Sequence, residues 1–117
     1  MTFNAPEWSR GMAAMKQHTP DIAKAFGGFF QSLMKEGALT VREKELIALG
    51  IGIAMRCEPC IYSHVEKCLK NGATPEQILE AAGVAVVMQG GPVYTYIPEV
   101  IRAVEHFESA RAAAASA

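Results

Sequence analysis

The 117-residue chain has no long hydrophobic run, almost no net charge and only three cysteines. No apolar stretch reaches the ~18 residues that a bilayer-spanning helix needs, so no membrane association is expected. A formal charge of −1 gives no electrostatic pull toward nucleic acid or an anionic membrane surface. The opening MTFNAPEWSRGMAAMK lacks a charged segment leading into an apolar one, so no secretory leader is visible. A cytoplasmic location is the resulting expectation. There, three cysteines do not make a structural disulfide framework; a close pair points to metal or redox chemistry. No segment alternates apolar and polar residues as a half-buried strand does, and no internal repeat is present. Nothing matches a phosphate loop or a nucleotide fingerprint, so no cofactor is expected.

What is present is apolar side chain and helix punctuation. Replacing the three Tyr of the 50% hydrophobic fraction by the ten Gly raises it to about 56%, where soluble domains average ~45–50%. A single domain over 1–117, with one core, cannot hide all of that. Self-association is the expected outlet.

The pattern predicts an all-α fold of about six helices. Trp8 to about His18 reads as the first. Thr19-Pro20 reads as N-cap and N1 of a second that stops at Gly37. Gly27-Gly28 inside it costs roughly 1 kcal/mol per Gly against Ala, which predicts close backbone packing there. Thr40-Val-Arg-Glu43 is a capping box opening a helix to about Arg56. Pro59 predicts a break, with a new helix from about Cys60 to Asn71-Gly72. Thr74-Pro-Glu-Gln77 is a second capping box. The helix it opens, ILEAAGVAVVMQ, is apolar on nearly every side from Ala81 to Met88, which predicts burial all round, in a core or at a subunit contact. A last helix covers roughly 93–110, with Pro98 starting or kinking it. The Ala-rich stretch 111–117 is expected to fray.

The chemistry concentrates in RCEPCIYSH, residues 56–64. Cys57 falls in a turn and Cys60 in the first turn of a helix, where the dipole and amides lower a thiol pKa from ~8.5 towards ~3.5–7.5. Arg56 is a neighbouring positive charge. His64 follows Cys60 by four residues, so the two share a helix face and the imidazole can exchange the thiol proton. A base needs an orienting group, and Glu45, on the preceding helix, is the candidate. A carboxylate on an otherwise apolar helix is costly unless paired. Spacing alone leaves both an inward and a polar face open to Glu45, and leaves open which cysteine attacks.

Glu45, an eleven-residue gap, Cys57, two residues, Cys60, three residues and His64 together resemble the signature of the AhpD-like alkylhydroperoxidase family, within the carboxymuconolactone decarboxylase superfamily. The segment REKELIALGIGIAMRCEPCIYSHVEKCLKNGATPEQILEA is similar throughout, and the resemblance covers about 36–90. It implies an all-α fold built from one repeat that oligomerises as a trimer or hexamer. It implies a dithiol peroxidase or disulfide reductase acting on a peroxide or disulfide, with Glu45 and His64 as proton relay. A lipoyl-bearing or thioredoxin-like protein would supply electrons, and a peroxiredoxin would accept them. One departure is Pro59, where AhpD itself has a histidine, which removes a second base and one backbone donor.

Three alternatives accompany that reading. Cys57, Cys60, His64 and Cys68 could ligate zinc, although structural zinc usually draws ligands from two separated knuckles. The chain could be a non-catalytic helical oligomer that keeps the motif, with the cysteines as packing. It could also be a lyase of the carboxymuconolactone decarboxylase type, which does not depend on a Cys pair. Cys68 itself reads as buried filler.

Overall fold

Every regular element among residues 3–116, which the computed structural model describes, is a helix. The all-α expectation is met, with seven helical segments in place of about six. They divide between two compact units, 1–41 and 42–117.

The first unit is a helical pair. α1 (Ala5–His18) starts earlier than the apolar pattern predicts, because the Asn4 side chain accepts the Glu7 amide at 2.9 Å and Pro6 fits the first turn. α2 (Pro20–Leu33) follows Thr19 directly. It ends before the Gly37 stop: Met34 N–H donates back to Phe30, and 34–39 form their own bends. The expected close packing at Gly27-Gly28 is also absent, since a Cβ at either position would meet nothing within 4 Å. Neither helix has a buried residue. Ile22, Phe26, Phe29 and Leu33 stand at i, i+4, i+7 and i+11, a single helical stripe, and all are more than half exposed.

The second unit carries the core. α3 (Val41–Ala54) buries Glu45, Leu49, Gly52 and Ile53, again one stripe. α4 (Glu58–Lys70) packs on α7 (Ile97–Ser116), and α5 (Pro75–Gln89) packs on α4, α7 and the one-turn α6 (Gly91–Tyr94). Leu49, Ile53, Ile61, Val65, Ile78 and Val100 are fully buried. Each contributes roughly 1.5–3 kcal/mol relative to exposure.

Two sequence expectations change here and one narrows. α4 begins at Glu58, so Pro59 lies inside its first turn and does not break it; an amide there would be unpaired in any case. Of the two settings expected for α5, its own chain's core covers only Ile78, Ala82 and Ala85, whereas Val84, Val87 and Met88 are 64%, 82% and 78% exposed. The Ala-rich tail does not fray within the described residues but continues α7 to Ser116, as Ala's helix propensity favours. Pro98 lies in the first turn of α7, as a start and not a kink. No described helix is long and apolar enough to cross a membrane.

Candidate functional site

The site begins with how α3 stops. Cys57 N–H donates to Gly52 C=O at 3.0 Å and Arg56 N–H to Ile53 C=O at 2.9 Å. These are the paired six-to-one and five-to-two bonds of a Schellman motif, which needs a left-handed residue between them. Arg56 takes that conformation, φ 54°, as the only described non-glycine with positive φ. The reversal delivers Cys57 directly as N-cap of α4.

The Cys57 sulfur then does what a capping oxygen does elsewhere: it accepts the Cys60 amide at 3.3 Å. Cys60 is the third helical residue, and its amide is a terminal donor with no partner in the helix. The donor that Pro59 lacks is therefore not the one this cap uses. Cys57 and Cys60 are joined by a disulfide, with Cα atoms 5.2 Å apart.

One turn along α4, His64 meets Glu45 from α3. Nδ1 lies 2.7 Å from Oε1, and the side chains are 16% and 3% exposed. Glu45 is the one charged residue of the core among the described residues. Its inward face, open in the sequence, is settled by the stripe it shares with Leu49, Gly52 and Ile53. An imidazole that donates from Nδ1 to a carboxylate keeps Nε2 as its second ring nitrogen, open to another partner. Among the described residues no buried side-chain nitrogen or oxygen lacks a hydrogen-bond partner.

Cys68 lies one further turn along, fully buried. Burial first, and the Glu45 carboxylate second, push its thiol up to about 12. It stays protonated and inert, as its reading as filler requires. No three Cys, His, Asp or Glu side chains among the described residues converge as a metal-binding group.

Sequence reasoning brought Glu45, Cys57, Cys60 and His64 forward, and the structure joins them in two pairs, Cys57 with Cys60 at the start of α4 and Glu45 of α3 with His64 of α4. It missed two supports. Gly52 backs onto the disulfide, and its only sequence signal is a gap in the buried row of α3. Tyr62 donates its hydroxyl to Glu99 of α7 at 3.1 Å, and Arg102 sits 3.4 Å from the same carboxylate. This pins α4 beside the site, and burial together with Glu99 raises the tyrosine pKa. No local pattern announces a contact between residues 37 apart.

This architecture recurs in known proteins. A solved carboxymuconolactone decarboxylase family protein from Legionella pneumophila is similar at TM-score 0.83 and 35% identity, covering 87% of this chain and 91% of that one. One from Thermotoga maritima, for which a part in the antioxidative response has been suggested, is similar at TM-score 0.71 and 32% identity, covering 90% and 87%. An uncharacterised protein encoded in the cox locus of Paracoccus denitrificans is 30% identical over 108 residues, 92% of this chain and 97% of that protein. An uncharacterised protein of Cupriavidus necator is 30% identical over 95 residues, 81% and 84%. The carboxymuconolactone decarboxylase family model matches residues 20–105, a span that runs from α2 through the whole Glu45–Cys57–Cys60–His64 arrangement into α7, and the chain belongs to that family.

Proposed function

We propose that the chain is a thiol-dependent oxidoreductase that reduces a peroxide or a disulfide with Cys57 and Cys60. One observation carries the reading: a cysteine pair closed at a helix start, with a part-buried Glu45–His64 hydrogen bond one turn along α4. Glu45 holds the ring in one tautomer, and His64 takes and returns protons at Nε2.

With a peroxide, one thiolate attacks an oxygen. The O–O bond breaks, the alcohol or water leaves with a proton, and the sulfur becomes a sulfenic acid. The second thiol attacks that sulfur, the S–O bond breaks, water leaves and the disulfide forms. Two electrons have passed from two thiols to the peroxide. With a disulfide substrate, attack gives a mixed disulfide, and the second sulfur displaces the remaining thiol. A donor dithiol, lipoyl-bearing or thioredoxin-like, restores the pair, and a peroxiredoxin is a suitable onward acceptor. A dithiol with its own base favours this chemistry over the lyase reaction that names the family.

Stoichiometric peroxide added to the reduced protein tests this. The expected product is two protons lighter, with the bridge mapped to Cys57 and Cys60, and dihydrolipoamide restores both thiols. Oxidation that ends as a sulfonic acid on one cysteine, or as a Cys60–Cys68 bridge, rejects the reading.

The apolar surfaces support self-association as part of the same proposal. α2 carries a ridge of Ile22, Phe26, Phe29 and Leu33. α3 and α5 enclose an apolar groove of about 410 Å³, whose lining includes Ile47, Ile51, Val84 and Met88. With Met55 and Val87, these make ten apolar side chains on or beside the two surfaces that are each more than half exposed. In a ridge-to-groove contact each partner contributes one of the two surfaces, and together they present on the order of 1,000 Å², against the ~1,600 Å² total of a standard interface. Ridge and groove are both apolar and carried by every copy, so a second copy is the proposed occupant. A ridge-to-groove contact joins unlike surfaces, the kind of contact that builds a trimer, or a hexamer of two rings, when its rotation closes. Light scattering that returns the 12.6 kDa monomer mass at micromolar concentration contradicts this.

A further inference from the structure

We propose that Gly52 is a positioning residue of the dithiol: its carbonyl holds Cys57, and its missing side chain makes room for Cys60. This inference rests on the dithiol reading above. Gly52 is buried on α3 and meets both ends of the bridge. Its oxygen accepts the Cys57 amide at 3.0 Å. A Cβ built on it would stand 3.0 Å from the Cys60 Cβ, 3.7 Å from the Cys60 carbonyl carbon and 3.9 Å from the Ile61 nitrogen. These atoms belong to the first turn of α4 and cannot swing aside as the end of a long side chain can.

Gly50, two residues earlier on the same helix, provides the contrast. A Cβ there would meet only the Ala81 oxygen, at 3.8 Å, an ordinary contact. Helix propensity alone favours Ala at both positions by roughly 1 kcal/mol, so the two glycines differ in what they face.

The consequence lies in the balance between dithiol and disulfide. A methyl group on Gly52 displaces Cys60 against Cys57 by a few tenths of an ångström. A disulfide demands a narrow geometry, whereas two separate thiols do not. The added group therefore disfavours the oxidised state more than the reduced one, and the pair becomes more oxidising.

The test is a glutathione redox titration of wild type, Gly52→Ala and Gly50→Ala, read by mass. Gly52→Ala is expected to shift the equilibrium about tenfold toward the dithiol, about 30 mV. Gly50→Ala is expected to keep the wild-type potential. A folded Gly52→Ala protein at the wild-type potential overturns the proposal, as does an equal shift in Gly50→Ala. Amide exchange of wild type gives a measurement that needs no variant: the Cys57 amide is expected to be protected in both redox states. If Gly52→Ala does not fold, this amide decides, and rapid exchange in the reduced protein overturns the proposal. A wild-type pair with no reversible couple rejects the proposed function separately, and the amide then judges Gly52.

Discussion

The α3–α4 and α4–α5 junctions are built on one plan. Each helix ends in a Schellman motif: Cys57 to Gly52 and Arg56 to Ile53 at the first, Ala73 to Cys68 and Gly72 to Leu69 at the second. Each chain reversal then leads to an N-cap whose side chain accepts the amide three residues on, with Pro in the first turn. The residues differ where the plan is most demanding. The second junction uses Gly72 at the left-handed position, φ 89°, and Thr74 with Gln77 as a complete capping box. The first uses Arg56 and Cys57. A side chain at positive φ costs roughly 1–2 kcal/mol, and cysteine is not among the preferred caps. Local rules broken twice in succession, beside a junction that keeps both, are what a functional site is expected to show, and they support the proposed dithiol.

The comparison breaks if Cys57 is only a cap. Cys57→Ser keeps a capping oxygen and removes the thiol. The expected outcome is complete loss of peroxide or disulfide turnover, with reduced-state stability within about 0.5 kcal/mol of wild type. Cys60→Ser is expected to lose turnover as well. Turnover assays with a dithiol donor, paired with urea melts under reducing conditions, check both halves.

The relay comes next in size. His64→Ala is expected to lower turnover ~10²-fold or more, in line with removal of a general base. Glu45→Gln acts in the same direction, and the double variant is less than additive, because the pair works as one unit. The loss is expected to fall mainly on the sulfur that shares a helix face with His64. Iodoacetamide trapping should therefore slow more for His64→Ala in a Cys57→Ser background than in a Cys60→Ser background. Equal slowing in both would show that His64 does not act through Cys60.

Stability variants sharpen the contrast at a scale of about 1 kcal/mol. Thr74→Ala is expected to destabilise by ~1 kcal/mol through loss of its cap, with no change in thiol reactivity. Arg56→Gly is expected to stabilise by about 0.5 to 1 kcal/mol, the relief at positive φ being partly offset by the entropy of glycine. Urea midpoints read both. A stabilising Arg56→Gly that also slows turnover would place a function on the guanidinium.

What could be read in the sequence follows the range of the interactions. The Thr74 box was legible because its residues are neighbours, and so was the spacing of the dithiol and its histidine. The inward face of Glu45 was half legible: 45, 49, 52 and 53 share a helix face, but the partner His64 comes from another helix. Gly52 against Cys60 and Tyr62 against Glu99 depend on how helices cross, which no local pattern encodes. The end of α2 was misplaced because a glycine permits a stop without requiring one. The tail was misread because low complexity is not low helix propensity. The α5 face was legible as apolar, but the part its own chain would cover was not, because that depends on which helices cross it.

The smallest expected effect concerns Cys68, the acceptor end of the second junction's Schellman motif and a thiol that the first junction does not use. Its pKa is raised from 9.0 to about 12, by burial and then by Glu45. A group whose folded pKa lies above its unfolded value binds its proton more tightly when folded. Its contribution to stability is complete below about 9 and is lost as pH rises through about 12. Wild type should therefore lose stability across that window. Tyr62 adds to the loss in the same direction, since its pKa is also raised. Cys68→Ala removes the thiol part and leaves the tyrosine part. At pH 7.5 the variant is expected to be less stable by about 1 kcal/mol, because a small cavity replaces the sulfur. Between pH 8 and 10.5 its urea midpoint should fall less than that of wild type, with peroxide turnover at neutral pH unchanged. An identical alkaline slope in the two proteins would mean that Cys68 does not titrate differently in the folded and unfolded chains. A loss of turnover at neutral pH would instead make it part of the dithiol chemistry, against its burial and its distance from the bridge along α4.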